Sequence, residues 1–486
     1  MATRFLSRRY YAHALGSFVD RRRNLLMQLG VIGGLLGLTA AIARLMSDPR
    51  FEPIVFAVVP LALVGLLLVA RYGRFEHGLM LIPLSAGLVN FVAISTGTQS
   101  RIVISLALSL GLLGLWLFRS LYEQRRIEHK RSPINAPVLV FVVVNIISYF
   151  WSVVFRDSIL VVWGSFSTVQ IAALVVNCML PLLTILLLNK VNDVKWLRAL
   201  AWIMVGIGAI WVVGVFLNLP LDPLYRNGSR GLFATWVVAA AFGLAMFDET
   251  LPWWVRAMLL GLVGAIVYRN FIQARIWVSG WLPVFAAIGL IVFLRSRALF
   301  VVAALAACVY FVANFDYYYA EIFIANRDEG GLQRLSLWEK NLQHVANHPL
   351  FGMGPAGYAI YNVTYHPEDA RSTHNNYFDI LAQTGVIGMA VFLWMAGTFT
   401  WLGLRTFLKV HKRRDFHEAY VAITLGGLGA SLGAGMLGDW ILPFAYNQTI
   451  AGFDHASYMW LFVGGLAALA HMLENPRPAA VDPAHV

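Results

Sequence analysis

The sequence predicts an all-α membrane protein, a bundle of about 12–14 transmembrane helices with one long loop between the eleventh and twelfth. Three observations carry this. Charged residues make up 13% of the 486 and hydrophobic ones 59%, whereas a soluble domain carries roughly a quarter charged residues. Apolar runs of about 20 residues, the length that crosses a bilayer, recur along the chain. The basic residues also alternate between connections. With the N-terminus in the cytoplasm, about 25 of the 37 Lys and Arg fall on that side, as the positive-inside rule expects.

In order, the candidate spans are 25–46, 51–70, 78–98, 101–118, 136–155, 168–188, 197–217, 231–247, 255–271, 276–294, 298–315, 385–404, 419–438 and 456–473. Arg8, Arg9 and Arg21 to Arg23 precede the first. That run is too long for the apolar core of a cleavable signal, and no small-residue cleavage site follows promptly. Cys178 and Cys308 lie inside apolar runs and read as small packing residues. The formal charge of +12 is an orientation signal and an attraction to anionic membrane lipid, so no nucleic-acid partner is expected. The pattern divides the chain into an N-terminal bundle (1–315), a long outer loop (316–384), C-terminal spans (385–473) and a Pro/Ala-rich tail (474–486) expected to be disordered.

The long loop is the informative segment, because such loops in compact proteins are functional or disordered. Its aromatics, among them Tyr317 to Tyr319, Trp338, Tyr358, Tyr361, Tyr365 and Tyr377, argue against disorder. Leu335, Trp338, Leu342 and Val345 recur at spacings of three and four, one face of an amphipathic helix that Pro349 stops. Arg334 and Trp338 share a face. Gly352, Gly354 and Gly357 have a G-x-G-x-x-G spacing. No βαβ unit surrounds them, so a turn with close backbone approach is the better account. His344 and His348 stand at i, i+4, but the metalloprotease Glu is missing and neither Cys is near, so no metal is expected.

Next comes R-S-T-H-N-N-Y, residues 371–377, running into an apolar span. Pattern alone leaves His374 either a satisfied interfacial histidine or a base, and Arg334 either a solvated charge or part of a site. Arg230, in N-G-S-R-G, and Arg275, in Q-A-R-I-W, sit at outer helix ends, where cations can also snorkel harmlessly. If these arginines converge with His374, they make a pocket for a strongly anionic group, since the guanidinium fork suits phosphate. A glycan on a lipid diphosphate is such a ligand. Its transfer needs charge stabilisation at the departing oxygens and a base for the acceptor hydroxyl, and the sequence has no D-x-D for a metal-bound nucleotide sugar.

These residues carry a family resemblance. Arg334–Trp338 (R-x-x-x-W), His348 through Gly354 (H-P-L-F-G-M-G), His374 to Tyr377 (H-N-N-Y) and Gly385 to Gly388 (G-V-I-G) follow one another. The order and spacing are similar to the signature of the O-antigen ligase and O-antigen polymerase superfamily. The resemblance covers about 70 residues directly and, through the layout of upstream spans, extends toward Leu224. It implies a multi-pass protein of the bacterial inner membrane that moves a glycan from undecaprenyl diphosphate to an acceptor on the periplasmic face, with no cofactor and no metal. It implies His374 as the base, Arg334 and Arg275 as partners of the diphosphate, and Arg230, Trp338, Asn375 and Tyr377 as substrate-binding residues. Ala274 stands where the family has a serine before the arginine. The acceptor would be a glycan, a lipid A-core or a protein, and direct attack would invert the anomeric centre. The rival is a polysaccharide transporter or flippase. Transporters place polar residues mid-membrane in repeated halves, whereas here they gather in one loop. A second rival is a scaffold whose loop binds another protein.

Overall fold

The computed structural model describes residues 75–88, 93–95, 101–122, 125, 129–219, 231–273, 278–320, 331–369, 372–444 and 452–475. In chain order its helices are α1 (Phe75–Leu88), α2 (Ile104–Tyr122), α3 (Asn135–Val154), α4 (Phe166–Lys190), α5 (Val194–Phe216), α6 (Phe233–Phe247) and α7 (Trp253–Val267), which runs on as a π-turn, Tyr268–Gln273. Then come α8 (Val278–Arg295), α9 (Arg297–Ala313), α10 (Phe315–Tyr319), α11 (Gly331–Asn347), α12 (Tyr358–Tyr365), α13 (Asn376–Val410), α14 (Phe416–Ala434) and α15 (Gly452–Glu474).

Among the described residues eight helices are long and apolar enough to cross a bilayer, and α6 and α9 are apolar but shorter. The chain is an all-α, multi-pass membrane bundle. The candidate spans 25–46 and 51–70 lie outside the described residues. The expected span over 78–98 is corrected: α1 stops at Leu88, and strands β1 (Ala93–Ser95) and β2 (Arg101–Val103) pair antiparallel, with Ile94 opposite Ile102. Alternating Val92 and Ile94, then Ile102, flank T-G-T-Q-S. That is a hairpin pattern, which a hydropathy window averages away.

Helix starts are written locally. Asp193, Ser296 and Asp415 cap α5, α9 and α14, their side-chain oxygens accepting from the N–H groups of Lys195, Leu299, and His417 with Glu418. Each such cap is worth about 1 kcal/mol. Helix association in lipid lacks the hydrophobic drive available in water, so close packing must supply it. The central element is α15, buried along the whole of residues 452–470. Its Gly464 lies so near α4 that a Cβ there would meet Thr184 Cα at 2.8 Å. Trp236 of α6, fully buried, stacks on Phe462 of α15 at 4.7 Å and 19°.

α13 is 35 residues long, about 52 Å at 1.5 Å per residue and well beyond the roughly 30 Å hydrocarbon thickness. The helix breaks at Gly385 (φ 66°, ψ −170°), leaving residues 376–384 as a separate short helix ahead of a span-length remainder. The described residues of 331–384 are largely helical, and they pack on the end of the bundle where α13 begins.

Candidate functional site

The site is built around the break in α13. An unbroken helix would bond the N–H groups of residues 386 and 387 to the carbonyls of 382 and 383. Here those groups are exchanged with the 349–354 loop. Val386 N–H donates to Pro349 O (2.8 Å) and Ile387 N–H to Leu350 O (3.4 Å). In return Met353 N–H donates to Ala382 O (2.8 Å) and Gly354 N–H to Gln383 O (2.9 Å). The Gln383 side chain accepts from Ala356 N–H at 2.8 Å. Gly352 (φ 66°) and Gly385 face each other across this seam, and a Cβ on Gly352 would meet Ala382 O at 2.5 Å. The glycines of F-G-M-G are thus there for close backbone approach.

The next layer is the H-N-N-Y turn. His374 has a left-handed backbone (φ 50°), a conformation that costs a non-glycine residue roughly 1–2 kcal/mol. Its N–H donates to Ser372 Oγ (3.1 Å). Asn375, 3% exposed, is the N-cap of α13, its side-chain oxygen accepting from Tyr377 N–H at 3.0 Å. Asn376 pins the segment after α14: its amide donates to Leu442 O (2.6 Å), its oxygen accepts from Ile441 N–H (2.7 Å), and its own N–H donates to Gly435 O (2.7 Å). Tyr377 donates its hydroxyl to Leu432 O at 2.8 Å.

α11 lies across this turn, with a face that differs from the sequence expectation. Leu335 and Leu342 are 56% and 46% exposed, while Leu337, Asn341, His344 and Val345 are buried. The inward face therefore runs 334, 337/338, 341, 344/345, about 100° round from the leucines. It places Arg334 and Trp338 over the site. Trp338 donates its indole N–H to Thr373 O (2.9 Å) and stacks on Phe378 at 4.9 Å and 17°. Arg334 donates to Leu437 O at 3.4 Å. His374, Arg334, Trp338, Asn375 and Tyr377 are thus brought to one place, between the turn at 372–377 and the segment 432–442.

Two candidates lie outside the described residues, Arg275 and Arg230. The neighbour of the second, Gly231 (φ 56°), is packed so tightly that a Cβ would meet His455 Cβ at 2.6 Å and the Trp440 ring at 3.4 Å. Trp440 follows Asp439, which accepts from Ser372 Oγ at 3.3 Å.

Sequence reasoning missed the acids beneath the turn. Asp379 and Asp439 are each 1% exposed. Asp379 accepts from the hydroxyls of Tyr358 and Thr373. Burial, and then the neighbouring Asp379, push the Tyr358 phenol well above its usual range. The signal available in the sequence was a lone acid in an apolar stretch, which is functional by default near a membrane. In the last turn of α11, His344 packs 5.6 Å from Tyr361 and 5.5 Å from His366. Burial, with His366 second, pulls it down to about 4. Among the described residues no group of three His, Cys, Asp or Glu stands close enough to hold a metal ion.

Residues 235–393 match the protein-family model described as O-antigen ligase. The matched stretch takes in α6 through α12 and the first half of α13, and so contains the broken helix and the H-N-N-Y turn. The match, confined to that stretch, supports the resemblance of this part of the chain to the O-antigen ligase and polymerase superfamily. Among curated proteins, none matches.

Proposed function

From an O-antigen ligase family segment built in this way, we propose that the protein is a membrane glycosyltransferase. It moves a glycan from undecaprenyl diphosphate to a saccharide acceptor on the periplasmic face of the bacterial inner membrane. His374 takes the proton of the acceptor hydroxyl. The acceptor oxygen attacks the anomeric carbon from the side opposite the diphosphate, the bond from that carbon to the diphosphate oxygen breaks, and the configuration inverts. The negative charge that develops on the leaving diphosphate meets Arg334, joined by Arg275 and Arg230. Guanidinium forks supply this stabilisation in place of a divalent cation. Trp338, anchored through its indole N–H, forms a wall for the sugar. Asn375 and Tyr377 keep the turn beside the bound glycan in shape.

The observation that supports this reading is that one face of α11 bonds both the turn that carries His374, through Trp338 to Thr373 O, and the segment that holds that turn through Asp439, through Arg334 to Leu437 O. The same donor chemistry serves a ligase, which delivers the glycan to lipid A-core or protein, and a polymerase, which adds it to another lipid-linked repeat. The test is a His374→Ala strain beside a deletion strain, examined for surface polysaccharide. Expected is loss of transfer with normal amounts of protein. Single-repeat caps would mark a polymerase, and bare core with carrier-linked polymer a ligase. Unchanged glycan in the deletion strain would end the proposal.

A further inference from the structure

The four residues ahead of α13, Ser372 to Asn375, are each held. Ser372 donates its hydroxyl to buried Asp439 and accepts the His374 N–H at 3.1 Å. Thr373 gives its carbonyl to Trp338 and its hydroxyl to Asp379. Asn375 N–H donates back to Thr373 Oγ1 at 3.3 Å. A non-glycine residue keeps a left-handed backbone only where the surroundings over-determine it, and this network does so for His374.

Asp379 is the hub. It sits one turn into α13, its N–H bonded to Asn375 O at 3.0 Å. Its Oδ1 takes both hydroxyls, Thr373 from the turn and Tyr358 from the start of α12. Its Oδ2 is buried and accepts no hydrogen bond among the described residues. Packing alone would favour an apolar side chain there, because an unpaired buried oxygen is costly. Helix-dipole stabilisation alone would favour an exposed acid in the first turn. Neither accounts for a carboxyl group placed so that two hydroxyls from different segments meet on one oxygen.

We propose that Asp379 is the positioning residue of His374: by receiving Thr373 and Tyr358 together, it sets the left-handed turn that presents the imidazole. The inference rests on the reading of His374 as the base. Asp379 touches no reacting atom and acts through Thr373.

The test uses the purified full-length protein with a lipid-diphosphate donor. Thr373→Val removes the hydroxyl at constant shape, and Asp379→Leu removes the acceptor. Each is expected to lower kcat by about 10- to 100-fold, the scale of a small misplacement of a reacting group, with the donor KM within about twofold. Thr373→Ser and Asp379→Asn keep the hydroxyl and one acceptor oxygen, and are expected to restore kcat to within about threefold of wild type. The double variant Thr373→Val with Asp379→Leu is expected to be no slower than the slower single one, since both cut the same link. Wild-type kcat in Thr373→Val would overturn the inference. So would a kcat loss in Thr373→Val matched by an equal loss of folded protein, or a failure of both conservative variants to rescue. His374→Ala separates the two levels. If it still transfers glycan, the function itself is misread. If it is dead while Thr373→Val and Asp379→Leu are fully active, only the role of Asp379 falls.

Discussion

Gly385→Ala probes the seam on which the site is built. The substituted chain has two courses. It can keep the break, holding alanine at φ 66°, ψ −170°, a region essentially reserved for glycine that costs about 1–3 kcal/mol. The new Cβ then also meets Pro349 O at 2.6 Å, a backbone contact that no rotamer change relieves. Alternatively it can heal the helix, returning the N–H groups of Val386 and Ile387 to the carbonyls of 382 and 383. That leaves Pro349 O, Leu350 O, Met353 N–H and Gly354 N–H without their partners, at about 1–3 kcal/mol for each group that stays buried. The first course is the smaller loss, so the expected destabilisation is roughly 2–4 kcal/mol. The assay is thermal unfolding of the detergent-solubilised protein, with Gly397→Ala as control. Gly397 has nothing within 4 Å of its Cβ position, and alanine there should be neutral or slightly stabilising. A Gly385→Ala midpoint equal to that of Gly397→Ala would refute the exchange of backbone bonds as the source of local stability.

Three further expectations follow from the site. Arg334→Ala should reduce donor use at least tenfold in kcat/KM, and Arg334→Lys should recover only part of it because a point charge replaces a fork; equal activity of the alanine variant would separate Arg334 from the diphosphate. His344 is 5% exposed and its folded pKa falls from 6.5 to about 4, so its contribution is fully present above pH 6.5, fades as the pH falls through that interval and reaches its floor near pH 4. Over that window the protein should lose on the order of 1–3 kcal/mol, read as a drop in melting midpoint that His344→Phe reduces; an identical acid profile in the variant would contradict it. Incubation of the purified protein with EDTA should leave transfer unchanged within assay error, whereas loss that a divalent cation restores would replace the arginine account with metal chemistry.

Much of the bundle could be read from hydropathy because lipid demands continuous apolar helices. The expected span 168–188 falls inside α4 (Phe166–Lys190), and 197–217 overruns α5 (Val194–Phe216) by one residue. The hairpin at 93–103 escaped because Ile94 and Ile102 look as apolar in a strand as in a span. α11 was found by its period, and Trp338 and Val345 of the expected stripe do face inward, but Leu335 and Leu342 do not. In water the greasy stripe marks the inside, but at a bilayer surface Leu335 and Leu342 can stay exposed while Asn341 and His344 go in. The H-N-N-Y cluster stood out because polar residues rarely crowd at the mouth of a span. The division of labour within it did not, since the grip of Asn376 on Ile441 and Leu442 joins segments about 65 residues apart. Asp379 and Asp439 were passed over for the same reason: each is visible as a lone acid in an apolar stretch, but the partners that give it a role, Tyr358 and Ser372, lie in other segments.

The interleaving of residues 349–354 with 382–387 also bears on how such a sequence can drift. Adding or removing one residue in either stretch would throw four backbone pairings out of step at once, so chain length is frozen in both. Slack remains between them, around the short helical turn at Pro367–Asp369, and that is where related chains can differ in length without disturbing the turn that carries His374.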